Sequence, residues 1–139
     1  MIRFILLALP LVLLVLGGGA FAADQWVPAG DALAARGLER SSGPPSSLVL
    51  GTAALEALGL IGLFLLLQGR GANVWLEGLL TAGIAWVFRG PVQVLVLAAH
   101  SRLPKQPWWD LALVALGAYV VSGLLLAALA RRVRPETVD

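Results

Sequence analysis

Four long apolar segments place the strongest limit on what this chain can fold into. They cover residues 4–23, 48–67, 73–99 and 109–130. A helix needs about 20 apolar residues to cross a bilayer, and each segment reaches that length. The sequence therefore predicts an all-α fold, a polytopic transmembrane helical bundle that forms one membrane domain over residues 1–139.

The composition leads to the same fold class. Of the 139 residues, 59% are hydrophobic and 13% are charged, and the mean hydropathy is +0.88. A soluble domain carries about a quarter charged residues and about half apolar ones, so much of this apolar surface must face lipid. The net charge is only +2, and no basic face with interleaved aromatic residues is present. We therefore expect the lipid bilayer as a partner and no nucleic acid.

The first apolar segment has two interpretations. Arg3, the apolar block after it and Ala20-Phe21-Ala22 fit a secretory signal peptide that is cleaved after Ala22. The uncharged stretch 4–23 is also long enough to span the bilayer. We favour the retained helix, which gives four spans, whereas cleavage would leave three. In both cases the segment directs the following loop, residues 24–47, out of the cytoplasm.

The connections differ in length and chemistry. The loop 24–47 is rich in proline and glycine, which are typical of irregular backbone. Within it, residues 31–40 predict a short interfacial helix with Asp31 as its N-cap. The third span is the longest, since 27 residues would measure about 40 Å as a straight helix. We expect a kink near Pro91, because proline removes a backbone donor and clashes with the preceding turn.

The distribution of arginine and lysine predicts the orientation. Basic residues are enriched in cytoplasmic loops, and an arginine cluster directly follows the last span. With a cytoplasmic N-terminus, the inner side carries Arg3, Arg70, Arg131, Arg132 and Arg134, and the outer side carries Arg36, Arg40, Arg102 and Lys105. Trp75 is expected at one interface, and Trp108 and Trp109 at the other. We therefore expect a multi-pass protein of a cell membrane, a bacterial inner membrane, with a cytoplasmic C-terminus.

The inventory of reactive side chains argues against catalysis. The chain has no cysteine and one histidine, His100. Disulfides, thiolate chemistry and clustered metal ligands are therefore not expected. No nucleophile elbow, phosphate-binding loop or zinc motif occurs, and we interpret His100 as a polar interfacial residue. The sequence predicts no catalytic, cofactor-binding or metal site and no enzyme.

Ionisable residues inside the spans are the candidate functional residues, because charges in a bilayer are costly. Glu56 and Arg89 lie deep in the second and third spans, which the short turn at residues 68–72 makes antiparallel neighbours. We predict that they form an intramembrane ion pair. The alternatives are an ion or proton pathway and contact with another subunit. Glu77 is expected to be interfacial, where it can reach lipid headgroups or Arg70.

Small residues four apart occur on each of the last three spans and favour close helix contacts, within the chain or between copies. The pairs are Ala53–Ala57, Gly78–Ala82, Thr81–Ala85, Ala118–Ser122 and Gly123–Ala127. The expected function is that of a non-catalytic accessory or scaffold subunit of a larger membrane assembly. Its expected partners are other membrane subunits or further copies of the chain. The alternative is a small oligomeric transporter or channel that uses Glu56, and a membrane enzyme is a third and weaker interpretation.

Overall fold

The computed structural model describes residues 2–27, 46–69, 73–100 and 105–133, and these ranges contain helices and no strand. We number the α-helices in chain order and treat the π-helical turn between the third and the fourth as a separate element. The elements are α1 (Ile2–Trp26), α2 (Ser46–Leu67), α3 (Val74–Val87), the π-helical turn (Phe88–Val92), α4 (Gln93–His100) and α5 (Gln106–Val133).

Four stretches of these helices are long and apolar enough to cross a membrane. They are Ile2–Ala23, Leu50–Leu67, Val74–His100 and Gln106–Val133. The chain is thus a multi-pass membrane protein with the fold of an all-α helical bundle. The predicted fold class is confirmed.

The helices extend beyond the predicted spans. The Val27 N–H donates to the Ala23 carbonyl over 2.9 Å, so residues 24–26 continue α1 and are not part of the loop. At its start, α5 gains a turn because the N–H groups of Trp108 and Trp109 both donate to the Lys105 carbonyl. The predicted interfacial helix at residues 31–40 lies outside the described residues.

Helix α5 is the main packing partner in the bundle. It packs against α3 on one side and α1 on the other, and α2 contacts α1 and α3. Helix α1 contributes one face, in which every fourth residue is buried: Phe4, Ala8, Val12 and Leu16. The Phe4 ring stacks on Phe64 of α2, with 5.9 Å between the ring centroids.

The closest approach between two helices joins α3 and α5 at Gly78 and Gly123, which we call the glycine crossing. A Cβ on either residue would overlap the backbone carbonyl of the other. Ala82 and Ala127 flank the contact and are fully buried. Two of the predicted small-residue pairs, Gly78–Ala82 and Gly123–Ala127, therefore meet across one interface. Such contacts stabilise membrane helices through van der Waals packing.

Pro91, where the sequence predicts a kink, lies within the π-helical turn Phe88–Val92. Proline has no N–H to donate, and the wider turn accommodates the missing bond. Gly90 is buried in this turn, where a Cβ would lie 3.1 Å from the Ala112 Cβ. The Trp86 Nε1–H donates to the Ala112 carbonyl over 2.6 Å and fixes the turn against α5.

Candidate functional site

Three polar side chains lie at a similar depth in the bundle, far from the helix ends. Glu56 is midway along α2, and Tyr119 is midway along α5. Arg89 lies close to the middle of the span Val74–His100. Since each of these spans crosses the bilayer, the three residues mark a polar level near its midplane, where ionisable groups are costly.

The structure brings Glu56 and Arg89 into direct contact. The Arg89 Nε lies 2.5 Å from the Glu56 Oε1 in a salt bridge. The Tyr119 hydroxyl donates to the other carboxylate oxygen, Glu56 Oε2, over 3.3 Å. The Arg89 Nη1 also donates to the Gln93 Oε1. We call these four residues, Glu56, Arg89, Gln93 and Tyr119, the polar network.

The π-helical turn positions Arg89 for both of its contacts. Arg89 lies within the turn, and Gln93 begins α4 four residues later. Residues four apart share a helix face, so the amide of Gln93 lies beside the guanidinium group. The network therefore joins α2, the turn, α4 and α5 through three hydrogen bonds.

The polar network opens onto a groove of about 620 Å³ between α1, α4 and α5. Its polar end is at Glu56 and Arg89, and its other end is at His100 and Trp108. The Arg89 side chain is 47% exposed, and that of Glu56 is 27% exposed. The walls between the two ends are mostly apolar and include Leu16, Ala20, Val94, Leu97, Leu111 and Ala115. The charged pair is thus accessible from one side of the bundle.

His100 ends α4 and is exposed, and its Nδ1 lies 2.9 Å from the Val96 carbonyl. That position agrees with the interfacial role predicted for it. Trp75 and Arg131 lie together at the opposite end of the bundle, with the Arg131 Cζ 5.9 Å from the centroid of the Trp75 ring. This contact places Trp75 beside the predicted arginine cluster.

The side chain of Glu77 does not point toward the membrane surface as the sequence predicted. It lies in the first turn of α3, near a helix end as expected, but it is buried. Its Oε1 accepts from the Gly69 N–H over 2.9 Å, across the turn that joins α2 to α3. The carboxylate therefore points into the protein instead of reaching headgroups. Arg70, its predicted partner, lies outside the described residues.

Sequence reasoning missed two members of the polar network, Gln93 and Tyr119. A signal for each was present. Tyr119 is the only tyrosine in the chain and lies in the middle of an apolar span. Gln93 lies four residues after Arg89, at the spacing at which helical side chains interact.

The described residues contain no group of three or more histidine, cysteine, aspartate or glutamate side chains that could hold a metal ion. The arrangement instead provides a charge pair without net charge and hydrogen-bond donors that face an apolar groove. Comparisons with protein-family models, curated proteins and solved structures found no match. The fold and the site define the chain as a multi-pass helical membrane protein with a polar network at midspan.

Proposed function

We propose that the chain is a small, non-catalytic accessory or scaffold subunit of a larger membrane assembly. The observation that carries this proposal is an open apolar depression of about 580 Å³ on the outer face of α3. Gly83 lines it, and a Cβ on Gly83 would meet no atom of the described residues within 4 Å. Gly83 therefore differs from Gly78 and Gly123, which pack closely against another helix in the described part of the chain.

The depression has the shape and chemistry that suit another transmembrane helix. Its lining is otherwise made of large side chains on α3, the π-helical turn and α5: Leu76, Leu79, Leu80, Ile84, Trp86, Val87, Phe88 and Leu116. The one polar atom of Trp86, Nε1, already donates to the Ala112 carbonyl. A glycine between large apolar residues allows a second helix to approach closely, which is how membrane helices associate without a hydrophobic driving force.

The experiment is purification of the chain from its native membrane in a mild detergent, followed by identification of the proteins that travel with it. We expect a stoichiometric set of other membrane proteins. Gly83→Leu should remove them, because leucine fills the depression, while the isolated chain unfolds at an unchanged temperature.

The matched control is Gly17→Leu, which adds the same side chain at another glycine with open space around it, on α1. It should keep the partners. If the wild-type chain purifies alone, or if both variants retain every partner, the subunit proposal or its surface is wrong.

We also propose that α1 is retained and that the C-terminus is cytoplasmic in a bacterial inner membrane. In support, α1 buries Phe4 and Val12 in the core of the bundle, and a Cβ on Gly19 would lie 2.6 Å from the Ala118 Cβ. Loss of this helix would expose the matching faces of α2 and α5. Intact mass of the extracted protein tests retention, and a mature start at Ala23 would contradict it. A reporter that works only in the cytoplasm should be active when fused after Asp139.

A second candidate function is favoured by the groove. It connects the end of α4 with Glu56 at midspan, which is the arrangement that an oligomeric transporter or channel using Glu56 would need. A self-oligomer without other proteins, whose stability rises with a transported compound, would support this candidate. Glu56→Gln should then abolish transport in proteoliposomes, whereas the subunit proposal expects no transport in either protein.

A further inference from the structure

We infer that the groove binds a neutral lipophile with a carbonyl-bearing ring as its head, a compound of the quinone class. The head would accept hydrogen bonds from Arg89, and the apolar tail would lie along α4 toward His100. This inference is independent of the subunit proposal, since it concerns the isolated chain.

The size of the groove suits such a molecule. Its volume of about 620 Å³ falls within the roughly 300–1,000 Å³ of small-molecule sites. Such sites are mostly apolar and hold a few convergent polar groups, as this groove does. Between Arg89 and His100 the span rises by about 16 Å, which gives room for an alkyl or isoprenoid tail.

The hydrogen-bonding groups of the network select a head that accepts. Arginine has five N–H donors. Among the described residues, Arg89 uses its Nε on Glu56 and one Nη1 hydrogen on Gln93. Both oxygens of Glu56 already accept, one from Arg89 and one from Tyr119. Beyond these two contacts the guanidinium group has three further N–H donors, and carbonyl oxygens complement them.

Electrostatics favour a head without net charge. Glu56 and Arg89 neutralise each other, so an anionic or cationic head would leave an unbalanced charge between apolar walls. A charge in an apolar environment costs far more than a hydrogen-bonded neutral group. Fatty acids, phospholipid phosphates and quaternary amines are disfavoured on this ground.

The depth of the network separates quinones from neutral glycerolipids. The ester carbonyls of a diacylglycerol lie at the interface, about 15 Å from the midplane of a hydrocarbon core about 30 Å thick. Arg89 and Glu56 lie near the middle of their spans. A quinone ring is apolar enough to enter the hydrocarbon core and still carries two acceptor oxygens.

The test measures quenching of tryptophan fluorescence in the purified full chain by a benzoquinone with a decyl chain. The Trp86 Nε1 lies where a Cβ on Gly90, the residue after Arg89, would contact it, so a quinone ring bound at Arg89 should quench Trp86 in a saturable manner. Trp86→Phe should remove most of the saturable part, whereas Trp26→Phe, at an exposed residue at the end of α1, should keep it.

Three variants test the groove and its donors. Ala20→Phe adds a ring at an exposed position that lines the groove, and Ala22→Phe adds the same ring at an exposed position on α1 that does not line it. We expect Ala20→Phe to weaken binding by at least about tenfold and Ala22→Phe to leave it unchanged. Arg89→Lys, which keeps the positive charge, should weaken binding by about tenfold through the lost donors.

Two competitors test the head group. Decylbenzene, with the same chain and no carbonyl, should compete about tenfold more weakly than the quinone, and diacylglycerol should compete as weakly. The inference is overturned if quenching does not saturate, if Ala20→Phe and Ala22→Phe act alike, or if either competitor equals the quinone. None of these results bears on which proteins travel with the chain.

Discussion

The glycine crossing and the polar network join neighbouring parts of α5 to the rest of the bundle in opposite ways. Gly123 and Tyr119 are four residues apart, which is about 6 Å of helical rise. At the crossing, the backbones of α3 and α5 meet without side chains between them. At the network, long side chains bridge the helices and leave an accessible groove.

The two regions therefore differ in role: the glycine crossing sets the positions of the helices, and the polar network provides accessible polar groups. Backbone contact tolerates no added atom, so the crossing sets the relative position of α3 and α5. Long side chains can adjust their rotamers, so the network holds α2 near α5 while leaving the Arg89 guanidinium 47% exposed. We expect substitutions at the crossing to cost stability and substitutions in the network to cost stability less and binding more.

The largest effect is expected from Gly78→Leu. Its Cβ would overlap the Gly123 carbonyl, and a backbone atom cannot move aside as a flexible side chain can. Overpacked cores lose up to about 3 kcal/mol, and we expect at least that loss here. The measurement is unfolding in mixed micelles with increasing denaturing detergent. The control is Gly83→Leu on the same helix, where a Cβ meets no atom of the described residues, and it should unfold as the wild type does. Equal losses of stability in both variants would mean that the glycine crossing is not the tight contact.

The next effect tests the ion pair. Glu56→Ala and Arg89→Ala should each cost about 1–3 kcal/mol, because each strands the charge of its partner near midspan. The double variant should recover much of that loss, since neither charge remains. Unfolding of all four proteins gives a double-mutant cycle. Additive losses of unfolding free energy would show that the two residues do not pair. That result would favour the alternative in which Glu56 serves transport.

A smaller effect is expected from Tyr119→Phe, which removes the hydroxyl and keeps the ring in the core. The lost hydrogen bond to Glu56 is 3.3 Å long, and hydrogen bonds between membrane helices average about 0.6 kcal/mol. The loss should therefore stay below about 1 kcal/mol in the same unfolding assay. It should vanish when Glu56 is already alanine. A loss as large as that of Gly78→Leu would show that the network positions α5 as firmly as the crossing does.

The smallest effect is expected from Glu77→Gln, next to the crossing on α3. The amide oxygen of glutamine can still accept from the Gly69 N–H, so the loss is limited to the favourable charge at the helix N-terminus. That charge contributes about 0.3–1 kcal/mol near a helix end. Glu77→Leu removes the acceptor as well and should cost more. Equal losses for glutamine and leucine would exclude a role for the hydrogen bond.

The sequence predicted the features that depend on the bilayer as a solvent. Long apolar segments require helices, and charges at midspan require partners, so the four spans and the approach of Glu56 to Arg89 followed from the residues alone. An irregular turn at Pro91 was expected from its missing N–H, and the π-helical turn contains that residue. These predictions needed no knowledge of which helix faces meet.

The remaining features depend on the rotation of each helix, which the sequence leaves open. Tyr119 reaches Glu56 only because α5 turns that face toward α2, and α2 is so uniformly apolar that it shows no preferred face. Glu77 points inward because Gly69 adopts a φ of +88° and presents its N–H to the carboxylate. Neither rotation nor turn geometry has a signature in the spacing of apolar residues.

The π-helical turn Phe88–Val92 also acts as a phase shift within one span. Each extra residue in a helix rotates everything after it by about 100° relative to a regular helix. The face of the span that contacts α5 at Gly78 is therefore not continued by the same regular spacing of residues along α4, which borders the groove. A single-residue deletion in this turn would restore a regular helix and keep the directions of Gln93, Val94 and Leu97, whereas a regular helix of unchanged length would rotate them by about 100°. The groove thus depends on a register offset within a continuous span as much as on the side chains that line it.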